Sequence, residues 1–337
     1  MAIMKQFLLA ASAAMLLAGC NNYVIKGNLP ELDKPYVYLC SYKPGDLEIL
    51  DSAKVENGIF TLKGKAEQAQ VAYLSVDKVQ PFCRFFLEEG KMQVEGSYLN
   101  SEVFVSGTAK NDDFNELNTL TYDTRERWLV TELESDKKQL EEHYIEQVRQ
   151  LIAKNRDNIC GMVILAEVAP AFLTQEELLE ELDAFSEEWQ QRPELNYLRT
   201  TAEREIAVRV GKTYTDIKAT SNHNEEVALS DVLNKEHVRY VLLDFWASWC
   251  GPCMHEVPFL KEAYATYRDK GFEIYGVSLD DDKNRWQETI DKEQMSWTQV
   301  CDGEGFYGIT ELYAVESIPA NFLIRASDGQ IVASQLR

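Results

Sequence analysis

The stretch Tyr240-Val241-Leu242-Leu243-Asp244-Phe245-Trp246-Ala247-Ser248-Trp249-Cys250-Gly251-Pro252-Cys253 decides how the last third of the chain is read. Its first seven residues are an almost continuous apolar run, as in a strand covered on both faces of a sheet. Residues from Cys250 to about Lys270 then read as a helix. A cysteine at a helix start has its thiolate stabilised by unpaired backbone N–H groups and by the helix dipole. Two intervening residues let a second thiol reach the first. Cys250 would attack a substrate disulfide, and Cys253, one turn further in and more buried, would resolve the mixed disulfide.

Other readings of the pair stay open. Half a zinc site would need further ligands, but there is no second CxxC, and His255 would face away from Cys253 on a helix. A purely structural disulfide is the other, although it would need neither the preceding Trp249 nor the Gly-Pro between. Asp244, on the strand leading in, would have a raised pKa if buried and could take the proton of Cys253; its bland reading is a strand-end residue facing solvent. Glu256, three residues after Cys253, is a second acid near the pair or a plain surface or capping residue. Pro319 after Ile318 reads as a cis proline beside the dithiol, leaving the Ile318 backbone to pair with an extended substrate. The alternative is an ordinary trans proline at a strand start.

Outward from this segment the alternation of elements gives a small α/β domain over 211–337. Strands are expected at Thr213–Lys218, Val227–Leu229, Tyr240–Trp246, Phe272–Leu279, Phe322–Ile324 and Ile331–Ala333, with Trp286 in a helix. Residues 111–210 read as helices that connect this domain to what precedes it. Leu133, Leu140, Tyr144, Val148 and Leu151 recur at helical spacing. Asn158 is placed to cap a short helix over 159–168, Thr174 with Glu177 is a capping-box pattern, and a last helix covers about 193–208. Residues 20–110 read as a small β-sandwich of short strands, with Asn57-Gly58 as a hairpin signal and strands over 70–76 and 84–95.

The N-terminus is an address. Lys5 precedes an apolar run from Phe7 to Ala18, too short to span a bilayer and shaped like an export signal. Leu17-Ala18-Gly19-Cys20 resembles a bacterial lipobox, which implies removal of residues 1–19 and lipidation of Cys20. Acyl chains there would hold the protein at a membrane without a spanning helix. The implied location is the cell envelope, facing the periplasm. The chain has 337 residues, 34 Lys plus Arg against 56 Asp plus Glu, and a net charge of −22. That balance excludes a nucleic-acid binder, which needs a basic footprint. Four histidines leave little for an extensive metal centre, and no cofactor is implied.

Residues 242–253 resemble the active-site segment of thioredoxins. Glu256-Val257-Pro258, Gly276-Val277-Ser278 and Ile318-Pro319 with Phe322-Leu323-Ile324 are more similar to the extracytoplasmic TlpA/ResA branch. The resemblance implies a nucleophile at Cys250, a resolving thiol at Cys253, a buried acid at Asp244, a second acid at Glu256, a cis proline at Pro319 and the flanking Trp249. It also implies disulfide-containing envelope proteins as substrates and an upstream membrane electron donor. Residues 22–110 resemble a domain of unknown function found before such modules in envelope lipoproteins. The family pattern adds a helix after the final hairpin, whereas this sequence reads Leu336-Arg337 there. Either the helical middle covers that sheet face or apolar surface is exposed. Competing functions are a thiol peroxidase, disfavoured by Trp246-Ala247-Ser248-Trp249 before the cysteine, and a non-enzymatic binding lipoprotein, disfavoured by the intact pair. Cys40, Cys83, Cys160 and Cys301 read as buried apolar residues outside the relay, with a Cys40–Cys83 bridge as the alternative for two of them.

Overall fold

The computed structural model describes residues 21–43 and 46–336, so Cys20 and the leader before it lie outside the described residues. The chain divides into two compact units, one ending at Val168 and the other running Ala169–Arg337.

The first unit opens with eight strands: β1 (Asn22–Asn28), β2 (Tyr36–Lys43), β3 (Asp46–Lys54), β4 (Ile59–Lys65), β5 (Gln70–Ser75), β6 (Pro81–Leu87), β7 (Gly90–Ser97) and β8 (Glu102–Ser106). They form two four-stranded sheets, ordered β4-β1-β7-β8 and β3-β2-β5-β6. Both contribute to one core, with Ile25, Phe60 and Met92 from the first sheet and Leu39, Leu74 and Phe85 from the second. Period-two burial explains the assignment: in β4, Phe60 and Leu62 face in while Ile59 and Thr61 face out. Gly27 is required because the Phe60 ring occupies the space a Cβ would take, 2.0 Å away.

Asn57-Gly58 forms its tight turn, with positive φ at both residues and reciprocal bonds between Glu56 and Ile59 at 2.9 and 3.0 Å. It does not make a hairpin. The Leu29 N–H donates to the Gly58 carbonyl at 2.9 Å, tying the turn to the end of β1, and β4 pairs with β1 while β3 pairs with β2. The single strand expected over 84–95 is two, broken at Glu88-Glu89, and β3 had no counterpart in the expectation.

Helices α1 (Ala109–Val130), α2 (Glu134–Lys154) and α3 (Ile159–Val163) complete this unit, the last continuing as a π turn to Val168. Polar contacts hold them to the sheets and to one another. Asn111 accepts from Phe86 N–H and donates to Phe86 C=O, both at 2.8 Å, substituting for a strand partner. Asp113 binds Lys154 and Asn155 at 2.6 and 2.8 Å, and Glu167 holds Arg84 in a bidentate pair. Asn158 caps α3 through the amides of Cys160 and Gly161.

The second unit begins with α4 (Gln175–Asp183), α5 (Glu187–Gln190) and α6 (Pro193–Ala207); the Thr174–Glu177 capping box opens α4. Then follow β9 (Lys218–Ser221), β10 (Glu226–Ala228), α7 (Leu229–Leu233), β11 (Tyr240–Trp246), α8 (Gly251–Tyr267), β12 (Phe272–Ser278), α9 (Lys283–Glu293), β13 (Thr298–Cys301), α10 (Ile309–Leu312), β14 (Ala320–Arg325) and β15 (Gln330–Ser334). The sheet order is β10-β9-β13-β12-β11-β14-β15, with β11 parallel to β12 and antiparallel to β14. The strand expected over 213–218 starts only at Lys218. Asp216 accepts from the amides of Ile217 and Ser230 and from the Ser230 hydroxyl, which turns the backbone away from the sheet.

On the face of β11 beside α8, an apolar groove of about 690 Å³ is lined by Tyr240, Leu242, Phe259, Tyr267, Leu323 and Leu336 among others. None of residues 169–207 lines it, so α4, α5 and α6 form no wall of that groove.

Candidate active site

Strand β11 delivers the site. It is flanked on both sides, and Asp244 stands in register with Gly276 of β12 and Asn321 of β14. After Trp246 the chain turns and Cys250 becomes the N-cap of α8, its Sγ accepting from the Cys253 amide at 3.1 Å. Pro252 lies in the first helical turn, where no amide donor is missed. Cys250 and Cys253 form a disulfide with Cα atoms 5.3 Å apart. The two are about equally buried, at 5% and 3% exposure, so the expected difference between them is slight in this oxidised form. The Ile318 carbonyl oxygen lies 3.8 Å from Cys250 Sγ, and the Ile318–Pro319 bond is cis.

Asp244 faces inward and is buried; it does not face solvent. Burial first, and the charge of Glu256 second, push its carboxyl up from the ordinary 3.8 to about 7. Asp244, Cys253, Glu256, Trp297 and Pro319 all line one cavity of about 10 Å³. That is the size of a single water. The site therefore joins a dithiol, a helix N-terminus that favours a thiolate at Cys250, and an acid poised near neutrality behind Cys253. Trp249 is half-exposed beside the pair, with its ring 6.4 Å from that of Phe306.

Three supporting residues had not been expected. Asp280, fully buried after β12, accepts from Ser248 N–H at 2.8 Å, from the Ser248 hydroxyl at 2.5 Å and from the Ser278 hydroxyl at 2.7 Å. It thereby clamps the turn that carries Trp249 and Cys250. Gln299 accepts from Trp246 Nε1 at 2.9 Å, and its side chain fills the space above Gly276. Trp297 keeps a buried indole N–H without a protein partner. The only local signal for Asp280 is an acid just after an apolar strand. Among the described residues Cys40, Cys83, Cys160 and Cys301 are free and buried, which removes the Cys40–Cys83 bridge.

Residues 23–114 match the family described as "Domain of unknown function (DUF4369)", and residues 210–334 match the "AhpC/TSA family". A thiol-disulfide oxidoreductase ResA of Oceanobacillus iheyensis is 34% identical over 118 residues, 35% of this chain and 60% of that protein. The protein of the same name from Geobacillus kaustophilus is 32% identical over 118 residues, covering 35% and 64%. The chain thus spans under two thirds of the length of either. A solved thiol-disulfide oxidoreductase from Bacteroides fragilis is 33% identical, covering 37% of this chain and 91% of that one, at a TM-score of 0.34. The architecture is an all-β N-terminal domain followed by a mixed α/β, thioredoxin-like C-terminal domain.

Proposed function

We propose that this chain is a thiol–disulfide oxidoreductase of the TlpA/ResA type, tethered in the cell envelope through a lipidated Cys20, facing the periplasm and reducing disulfides of envelope proteins. The observation that carries the reading is the Cys250–Cys253 pair at the start of α8 with Asp244 buried behind it. In the reduced protein the Cys250 thiolate attacks one sulfur of a substrate disulfide; a new S–S bond forms and the other substrate sulfur leaves as a thiolate. Cys253 gives its proton to Asp244 and attacks Cys250, releasing the second substrate thiolate. Two electrons pass to the substrate and the protein is left as the disulfide, to be reduced again by a membrane electron donor. Burial chiefly, with the charge of Glu256 adding to it, keeps the Asp244 pKa high, and Pro319 sets the Ile318 backbone beside Cys250 to receive an extended substrate.

The test is reduction of insulin by the pre-reduced protein. Turnover that disappears in Cys250→Ser is expected; no reduction by the folded, fully reduced protein would overturn the reading. Mass spectrometry of the membrane fraction should find Cys20 acylated as the first residue. A mature N-terminus elsewhere, unmodified, would sink the tether.

A further inference from the structure

A further cavity, of about 400 Å³, lies between α6 and the segment that follows β13, lined by Tyr197, Thr201, Arg204, Phe306, Tyr307 and Val315 among others. Arg204 of α6 pairs with Glu311 of α10 at 3.3 Å, fixing one wall against the other. The rings are presented outward: Tyr197 is 68% exposed and Tyr307 70%. Together with Phe306 these rings give the cavity an exposed aromatic rim.

The loop bearing Phe306 and Tyr307 is built for that presentation. Gly303, Gly305 and Gly308 all have positive φ, and a Cβ on Gly303 or Gly305 would meet open space, so the glycines serve the backbone path. Asp302 fastens the loop at both ends, accepting from Glu304 N–H at 3.0 Å and Ile309 N–H at 3.2 Å.

Two segments that line the cavity adjoin the dithiol. Phe306 meets the ring of Trp249, the neighbour of Cys250. On the other wall Val315 and Glu316 run directly into Ile318, whose carbonyl lies against Cys250 Sγ. We propose that this groove receives a large apolar or aromatic side chain flanking the reacting cysteine of an extended polypeptide substrate. The proposal rests on the exchange activity above and adds its substrate class. A ligand that brings both a disulfide to Cys250 and an apolar group to the adjoining groove is a polypeptide in which the two stand a few residues apart. Tyrosine and phenylalanine suit such a contact because they offer large area at low conformational cost. Arg204 and Glu311 offset each other, Glu316 adds a further charge at the exposed edge, and the rings supply the apolar area that an incoming side chain would meet.

The experiment uses the pre-reduced full chain and three disulfides: oxidised glutathione and two peptides of equal length and charge, each with one intramolecular disulfide. One peptide carries Phe a few residues from the reacting cysteine and the other carries Ser at that position. Second-order rates are followed by tryptophan fluorescence. The Phe peptide should react about tenfold faster than the Ser peptide, as expected for one well-placed aromatic contact. In Tyr197→Ala/Tyr307→Ala the preference should fall to about twofold or less, while Tyr197→Phe/Tyr307→Phe should keep it. Equal peptide rates in the native protein, or a preference that survives the double alanine change, would overturn the groove's role while leaving exchange intact. Failure to react with any of the three disulfides would overturn the exchange activity and the groove with it.

Discussion

Replacing Asp244 by Asn tests the centre of the mechanism through two independent readouts. In the oxidised fold the carboxyl is held at about 7 against an ordinary 3.8, chiefly by burial. The native state therefore tolerates the protonated acid and resists the charged one. Stability from this group is fully present below the unfolded pKa and is lost as pH rises through about 7. The difference of roughly 3 units corresponds to about 4 kcal/mol at high pH. An asparagine does not titrate, so any cost of burying its amide is the same at every pH. The stability of Asp244→Asn relative to the native protein should thus rise by about 2–3 kcal/mol between pH 5 and pH 8. Denaturant unfolding of the oxidised proteins, followed by tryptophan fluorescence, measures this, since every tryptophan except Trp128 lies in the second unit. Stopped-flow kinetics supplies the second readout. Release of the mixed disulfide at pH 7 should slow by about tenfold or more, while attack by Cys250, whose thiolate the helix start stabilises, should not. A stability difference that stays flat with pH would refute the buried-acid argument. Unchanged release would remove Asp244 from the relay.

Further outcomes follow from the same geometry. Glu256→Gln removes a like charge near Asp244, so the pH at which Asp244 ionises should move down, read as a downward shift in the pH profile of disulfide release. Asp280→Ala leaves the Ser248 amide and hydroxyl without their acceptor, and should cost about 2–4 kcal/mol of stability together with slower attack by Cys250; urea unfolding and insulin turnover check both. Changing Cys40, Cys83, Cys160 and Cys301 together to Ala should leave dithiol turnover intact. Their thiols are buried, and burial pushes those of Cys83 and Cys160 up to about 12, far from reactive thiolates. Loss of turnover in a folded quadruple variant would bring one of them into the relay.

What could be read from the chain was what is local or periodic. The apolar run of β11, the CxxC at its end, the capping box at Thr174 and the alternation in β4 each announce themselves within a few residues. Asp244 was legible because a carboxylate inside such a run has few innocent explanations. The clamp at Asp280 was not, because it depends on β12 lying parallel to β11 with Ser278 opposite Trp246, a pairing made across a whole helix. Gln299 depends likewise on β13 joining the same sheet. The Asn57-Gly58 turn shows the opposite limit: its chemistry fixed the backbone of the turn, while the partners of β3 and β4 were chosen by burial elsewhere. The groove beside α6 combines segments a hundred residues apart, joined by Arg204 and Glu311.

The division between Val168 and Ala169 has a practical side for anyone cutting this protein into pieces. A fragment beginning at Val210, where the match to the AhpC/TSA family starts, would keep the dithiol and its acid but discard α6. Glu311 would lose Arg204, Phe306 and Tyr307 would remain on the loop after β13, and one wall of the aromatic groove would be gone. A fragment beginning at Ala169 retains both walls. Compared side by side, the shorter piece should behave as a generic reductant of small disulfides, and the longer one should carry the discrimination among polypeptides.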